Sequence, residues 1–228
     1  MNYKWLLFDA DGTLFDFEKA ESMAFQRSVT ELGYSYKPDY LTMYKQVNKQ
    51  LWDAFEQGKV AQDVLKIRRF ERFFEVAGIT GNAEHFSQRY VTHLAEGNYL
   101  LDGAENLVKM LSKSYRLLII TNGLKEVQRP RFERSSIYHY FESIIVSGEI
   151  GAAKPGAKIF DAAFATMEHP KKDEALIIGD SLTSDMAGGI NYGIDTCWYN
   201  PQGQENQDSL AITYEIDNLL ALRHILTG

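Results

Sequence analysis

Five short apolar runs recur along the chain, and each stops at a polar or glycine turn: KWLLF before Asp9, RLLII before Thr121, SIIVS before Gly148, ALIIG before Asp180 and DTCWY before Asn200. ITYEI, at 212–216, is a weaker sixth. Their apolar residues run continuously instead of alternating, which suits strands covered on both faces, as in a parallel sheet. Between them lie AENLVKMLSKS, IFDAAFATM and NLLALRHIL, whose apolar spacing is close to the 3.6-residue period of a helix. Strand, helix, strand predicts an α/β fold with a doubly wound parallel sheet.

One interval breaks this rhythm. From Asp11 to Thr121 there are about 110 residues, whereas one βαβ unit needs only roughly 30. Four helix-like patterns fill the gap: EKAESMAFQRSVTEL, YLTMYKQVNKQLWDAFEQG, VLKIRRFERFFEVAG and AEHFSQRYVTHLAEG. Gly33, Gly58, Gly78 and Gly97 fall near their ends, where helix C-caps favour glycine. The expected organisation is a Rossmann-like core, 1–16 and 98–228, with a helical cap at 17–97 inserted after the first strand.

Composition narrows the partners. The chain carries 45% hydrophobic residues and a formal net charge of −7, so a core is available and a nucleic-acid polymer is a poor partner, since backbone binding needs a basic surface. A small phosphorylated metabolite is the expected partner, because a bound cation and a lysine can reverse the field locally. Cys197 is the single cysteine, and no histidine pair has zinc-site spacing. No apolar stretch approaches the ~20 residues of a membrane span. The expectation is a cytoplasmic protein without membrane partners, either a monomer or a weak homo-oligomer.

The chemistry-bearing residues sit directly after the apolar runs. Asp9 and Asp11, in DADGT, are two apart at a strand's end and so point the same way. Two carboxylates this close repel unless a cation or a shared proton relieves them, and Mg²⁺ is the usual cation where phosphate is handled. An EF-hand reading fails, because the third acidic position and the closing glutamate are missing. GDSLTSD brings Asp180 and Asp185 to the same sheet edge, and an acidic cluster from two strands is costly without a cation. Thr121-Asn122-Gly123 follows another strand and reads either as an ordinary turn or as a phosphate cradle of hydroxyl, amide and backbone N–H groups. Lys154, followed by Pro155, is a candidate to pair with the aspartates and phosphate.

In this order, DADGT, TNG, the Lys154-Pro155 loop and GDSLTSD resemble the haloacid dehalogenase superfamily over essentially the whole chain. The resemblance implies that Asp9 is the nucleophile forming an aspartyl-phosphate and that Asp11 is the general acid and base. Thr121, with the amides of Asn122 and Gly123, would hold the phosphoryl group, and Lys154 would stabilise nucleophile and intermediate. Mg²⁺ would be held by Asp9, Asp11 through its main-chain carbonyl and Asp180, with Asp185 either ligating through water or orienting the others. Haloalkanoate dehalogenases lack the second aspartate, because expelling halide needs no proton, so Asp11 favours phosphate chemistry.

GDSLTSDMAGGINYGIDTCWYNP, TNGLKEVQ and RRFERFF are similar to the bacterial pyrimidine 5′-nucleotidases of that superfamily. This implies dUMP, UMP or dTMP as substrates, with specificity in the cap. Asn48 and Trp52 share a helical face by their i,i+4 spacing, and with Arg69 and Phe70 they are the candidate base or sugar contacts. Cap-core packing is the competing reading of Trp52 and Phe70. The alternatives are a sugar-phosphate phosphatase or phosphomutase, a phosphoacceptor signalling module, and a non-catalytic binding protein on the same fold.

Overall fold

The computed structural model describes residues 2–227. Phe17–Asn98 and Glu126–Arg131 form one compact unit, and the rest of the chain forms the other.

The larger unit is built on a six-stranded sheet. Its strands are β1 (Trp5–Phe8), β2 (Arg116–Thr121), β3 (Ser143–Val146), β4 (Ala175–Gly179), β5 (Asp195–Tyr199) and β6 (Tyr214–Ile216). The order is β3-β2-β1-β4-β5-β6 and every pairing is parallel. All six apolar runs therefore form strands. The sixth is shorter than its run. Before Tyr214 the ladder passes to side chains, with the Thr213 and Thr196 amides each donating to the other residue's Oγ1 at 3.1 Å.

The continuous apolar character of these runs has the expected cause. Leu6 and Phe8 of β1 pack into one buried cluster with Ala104, Leu107, Val108 and Leu222, from α5 (Ala104–Leu111) and the start of the C-terminal helix Leu222–Thr227. Trp5 and Leu7 face the opposite cluster with Ile159, Phe160 and Ala163, from the helix Ala157–Thr166. Leu7 is fully buried, and truncating such a residue to alanine costs about 2–5 kcal/mol.

Register fixes where the chemistry emerges. Phe8 pairs with Ile119 on one side and Ile178 on the other, so the residues after β1, β2 and β4 leave the sheet together at its C-terminal edge. From β1 the chain winds to β2 and β3, then crosses to β4, β5 and β6 on the other side. The β1–β4 gap is thus the topological switch point, where open α/β sheets bind ligands.

The helical unit contains α1 (Phe17–Glu31), α2 (Pro38–Glu56), α3 (Gln62–Ala77) and α4 (Ala83–Glu96). Its core is aromatic. Phe25 stacks on Tyr44 at 4.8 Å between centroids, and Tyr44 stacks on Phe70 at 5.2 Å. Gly78 closes α3 with a left-handed φ of 65°. Gly97 has an ordinary negative φ, and the reason for glycine there is space: a Cβ would lie 2.8 Å from that of Ala20. No helix among the described residues is long and apolar enough to cross a membrane.

Candidate active site

Asp9 continues β1, and its amide donates to the Ile178 carbonyl at 2.9 Å, so the sheet ladder still holds the backbone at this residue. The chain then turns at once. The Leu14 and Phe15 amides both return to the Ala10 carbonyl, and the Gly12 amide donates to the Phe15 carbonyl. Gly12 supplies the left-handed φ of 83° that the turn requires, and a Cβ there would lie 2.5 Å from Asp180 Oδ2. Asp11 is half-buried within this turn.

After β4 the chain makes a second turn. Asp180 Oδ1 accepts from Thr13 Oγ1 at 3.1 Å, which ties the two turns together across the β1–β4 gap. Asp185 lies in a helical turn, Leu182–Met186, capped by Ser181, whose Oγ accepts from the Ser184 amide at 3.2 Å. Asp185 Oδ2 accepts from the Ser181 amide at 3.1 Å. A Cβ on Gly179 would lie 2.3 Å from that same Oδ2, so only glycine admits the carboxylate.

Lys154 joins the two halves. Its ammonium is 2.5 Å from Asp9 Oδ1, 2.6 Å from Asp185 Oδ1 and 2.7 Å from the Ile120 carbonyl, so all three of its N–H bonds are spent. The side chain is 1% exposed. Charge-assisted bonds to buried carboxylates are the strong ones, and they fix rotamers as well as charge.

One ammonium does not balance this many carboxylates. Ligand oxygens of Asp9, Asp180 and Asp185 all lie within 4.8 Å of one another. Burial pushes the Asp9 carboxyl well above its usual range; Lys154 opposes this, and Asp185 and Asp180 add to it. Asp180 is pushed up to about 7, by burial first and then by Asp185. Burial alone would lower the Lys154 pKa, but Asp185 and Asp9 outweigh it and the pKa is raised. An all-oxygen donor set with surplus negative charge fits a hard divalent cation.

The TNG segment divides its duties. Thr121 ends β2 and is buried. Asn122 is turned to Lys154: its Nδ2 donates to the Lys154 carbonyl at 2.9 Å, and its Oδ1 accepts from the Lys154 amide at 2.8 Å. The Gly123 amide donates to Ser147 Oγ at 3.0 Å. Thr121, Asn122, Gly123 and Lys154 therefore converge on the edge that carries Asp9, Asp11, Asp180 and Asp185.

Asn48, Trp52 and Arg69 belong to the helical unit. Asn48 Nδ2 donates to Glu21 Oε1 at 3.0 Å, and Arg69 Nη1 donates to Asn48 Oδ1 at 3.2 Å, so the two buried side chains are bonded to each other. The Arg69 guanidinium lies 4.9 Å from the ring centroids of both Phe70 and Tyr90. Trp52 is half-buried and meets Phe55 edge-on at 5.5 Å. Sequence reasoning did not pick out Thr13, Ser147, Ser181 or Glu21. Thr13 and Ser181 stand inside the quoted motifs and could have been read as supports for the carboxylates. Ser147 and Glu21 carry no local signal.

Residues 6–199 match the family described as Haloacid dehalogenase-like hydrolase. The chain is 36% identical to the pyrimidine 5′-nucleotidase PynA of Streptococcus pneumoniae, covering 95% of this chain and 92% of that one. It is 32% identical to the pyrimidine 5′-nucleotidase YjjG of Escherichia coli, covering 99% of each. The crystal structure of the HAD-hydrolase YfnB from Bacillus subtilis, bound to magnesium, superimposes with a TM-score of 0.94 at 36% identity over the whole of both chains.

Proposed function

The chain belongs to the haloacid dehalogenase-like hydrolase family, and from that premise we propose that it is a Mg²⁺-dependent phosphatase of small phosphate monoesters, acting on pyrimidine nucleoside monophosphates such as dUMP, UMP and dTMP. The observation that carries the chemistry is Lys154 bridging Asp9 and Asp185 beside Asp180. The nucleotide part rests on the similarity to PynA and YjjG.

In the proposed reaction a carboxylate oxygen of Asp9 attacks phosphorus in line with the ester bond. As that P–O bond breaks, Asp11 gives its proton to the departing alkoxide, and an aspartyl-phosphate remains on Asp9. Asp11, now a carboxylate, takes a proton from water as the water oxygen attacks phosphorus. The acyl phosphate P–O bond breaks, inorganic phosphate leaves, and both aspartates return to their starting states. General acid–base help of this kind is worth ~10²–10⁴-fold.

Lys154 holds Asp9 in one rotamer and sets a positive charge beside the transferring group. Its own position depends on the Asn122 clasp. Asp9, Asp180, Asp185 and the Asp11 main-chain carbonyl would hold Mg²⁺. When bound, the ion neutralises carboxylate and phosphoryl oxygens, which is most of what phosphoryl transfer asks of a protein. Thr121 binds the phosphoryl oxygens, while the Asn122 side chain and the Gly123 amide are committed to Lys154 and Ser147.

Phosphate release from a panel of monoesters with Mg²⁺ tests the assignment. The expected result is the highest kcat/KM for pyrimidine monophosphates. A preference for sugar phosphates would overturn the nucleotide reading and leave the phosphatase reading standing, whereas no phosphate release from any ester would overturn both.

A further inference from the structure

Asp180 is held at two points, and only one of them lies in the motifs already described. Its carboxylate is fixed by Thr13, while its main-chain carbonyl accepts from Trp198 Nε1 at 2.9 Å. Trp198 is 1% exposed on β5, paired in register with Gly179, the residue before Asp180. A buried indole N–H needs an acceptor, and a phenylalanine here would keep an aromatic ring without offering a donor. The Asp180 carbonyl lies where β4 ends and the turn begins, beyond the last β4–β5 register pair. The indole thus extends the sheet's hydrogen bonding by one residue and fixes the rotation of the peptide that carries the Asp180 carboxylate.

The Asp180 carboxylate has little freedom to compensate. It lies so close to Gly12 that a single Cβ would collide with it. If the Asp180–Ser181 peptide rotates, the carboxylate must leave either Thr13 or its place beside Asp9 and Asp185. We propose that Trp198 is a positioning residue for the cation site, holding the Asp180 peptide so that its carboxylate stays within reach of Asp9 and Asp185. This inference rests on the cation-site reading above. Outer-shell hydrogen bonds of this type typically govern about 10–100-fold in metal affinity.

The test is Mg²⁺ binding measured calorimetrically on the whole protein, alongside the Mg²⁺ dependence of turnover. Trp198→Phe is expected to weaken Mg²⁺ binding about tenfold or more, with kcat recovered at saturating Mg²⁺. Trp5→Phe, which removes a buried indole at the opposite end of β1, should bind Mg²⁺ as wild type does. Unchanged affinity in Trp198→Phe, or an equal loss in Trp5→Phe, would overturn the inference. A wild-type protein that binds no Mg²⁺ would contradict the cation site itself and this inference with it. Should Trp198→Phe fail to fold, the wild-type protein decides: the Trp198 indole N–H resonance should shift on adding Mg²⁺ while that of Trp5 stays still, and a Trp198 resonance indifferent to Mg²⁺ would overturn the proposal.

Discussion

Asn122 and Lys154 clasp each other through a reciprocal pair of hydrogen bonds, the amide side chain of one closing on both the N–H and the carbonyl of the other. The clasp links the turn after β2 to the loop that delivers the ammonium to Asp9. Lys154 therefore works from a backbone fixed on one side by Asn122 and through a side chain fixed on the other by two carboxylates. Asn122→Ala should lower kcat more than it raises KM, because a small misplacement of a charged group costs catalysis disproportionately. Losing the clasp should also cost about 1–3 kcal/mol of stability. Steady-state kinetics and denaturant melts measure the two effects separately.

Metal-free protein should become less stable as pH rises from about 4 to about 7. The Asp180 carboxyl moves from 3.8 to about 7 on folding, and that of Asp9 moves in the same direction. A carboxyl with a raised folded pKa binds its proton more tightly in the folded state. Its stabilising contribution is complete below the unfolded value and is lost as pH rises through the folded one. Glu21 in the helical unit, pushed up to about 7 by burial despite Lys45, Arg69 and Asn48, adds to the slope. Mg²⁺ should restore stability at pH 7–8, and Asp180→Asn should flatten the metal-free profile. Thermal melts across this range check both.

Asp11→Asn separates the two halves of the reaction. The variant cannot protonate an alkoxide, so turnover of nucleotide esters should fall by about 10²–10⁴-fold. With p-nitrophenyl phosphate, whose leaving group needs no proton, a burst of p-nitrophenol should precede slow turnover as aspartyl-phosphate accumulates. Rapid-quench measurement of the burst is the check.

Asn48 is the middle of a buried relay from Glu21 to Arg69 that joins α1, α2 and α3. Asn48→Ala should destabilise the protein by about 2–3 kcal/mol, because it strands a buried carboxyl and a buried guanidinium together. Asn48→Ala combined with Arg69→Met and Glu21→Gln should cost less than the sum of the single changes, which a mutant cycle in denaturant would show.

The sheet was legible because its strands are covered on both faces, which leaves unbroken apolar runs such as ALIIG with nothing to confuse their period. The carboxylates were legible because Asp9 and Asp180 each follow such a run directly, with Asp11 and Asp185 close behind in the same turns, and strand ends set position. Asn122 was harder. An amide in a turn reads as a phosphate donor or as turn chemistry, and its partner, Lys154, is 32 residues away. Glu21, Asn48 and Arg69 meet only through the packing of three helices, and helical spacing on one segment contains nothing about the face it meets. Gly97 shows the same limit: its place at a helix end suggested a left-handed cap, and the cause is the methyl of Ala20.

Every step of the proposed reaction depends on Asp9 carrying the phosphoryl group. Acid quenching during turnover of dUMP with Mg²⁺, followed by peptide mass spectrometry, tests it most directly. The expected result is a phosphorylated peptide containing Asp9 that is absent from Asp9→Asn, together with loss of phosphate release in that variant. Near-normal turnover by Asp9→Asn, or a phosphoryl group trapped on another residue, would contradict it.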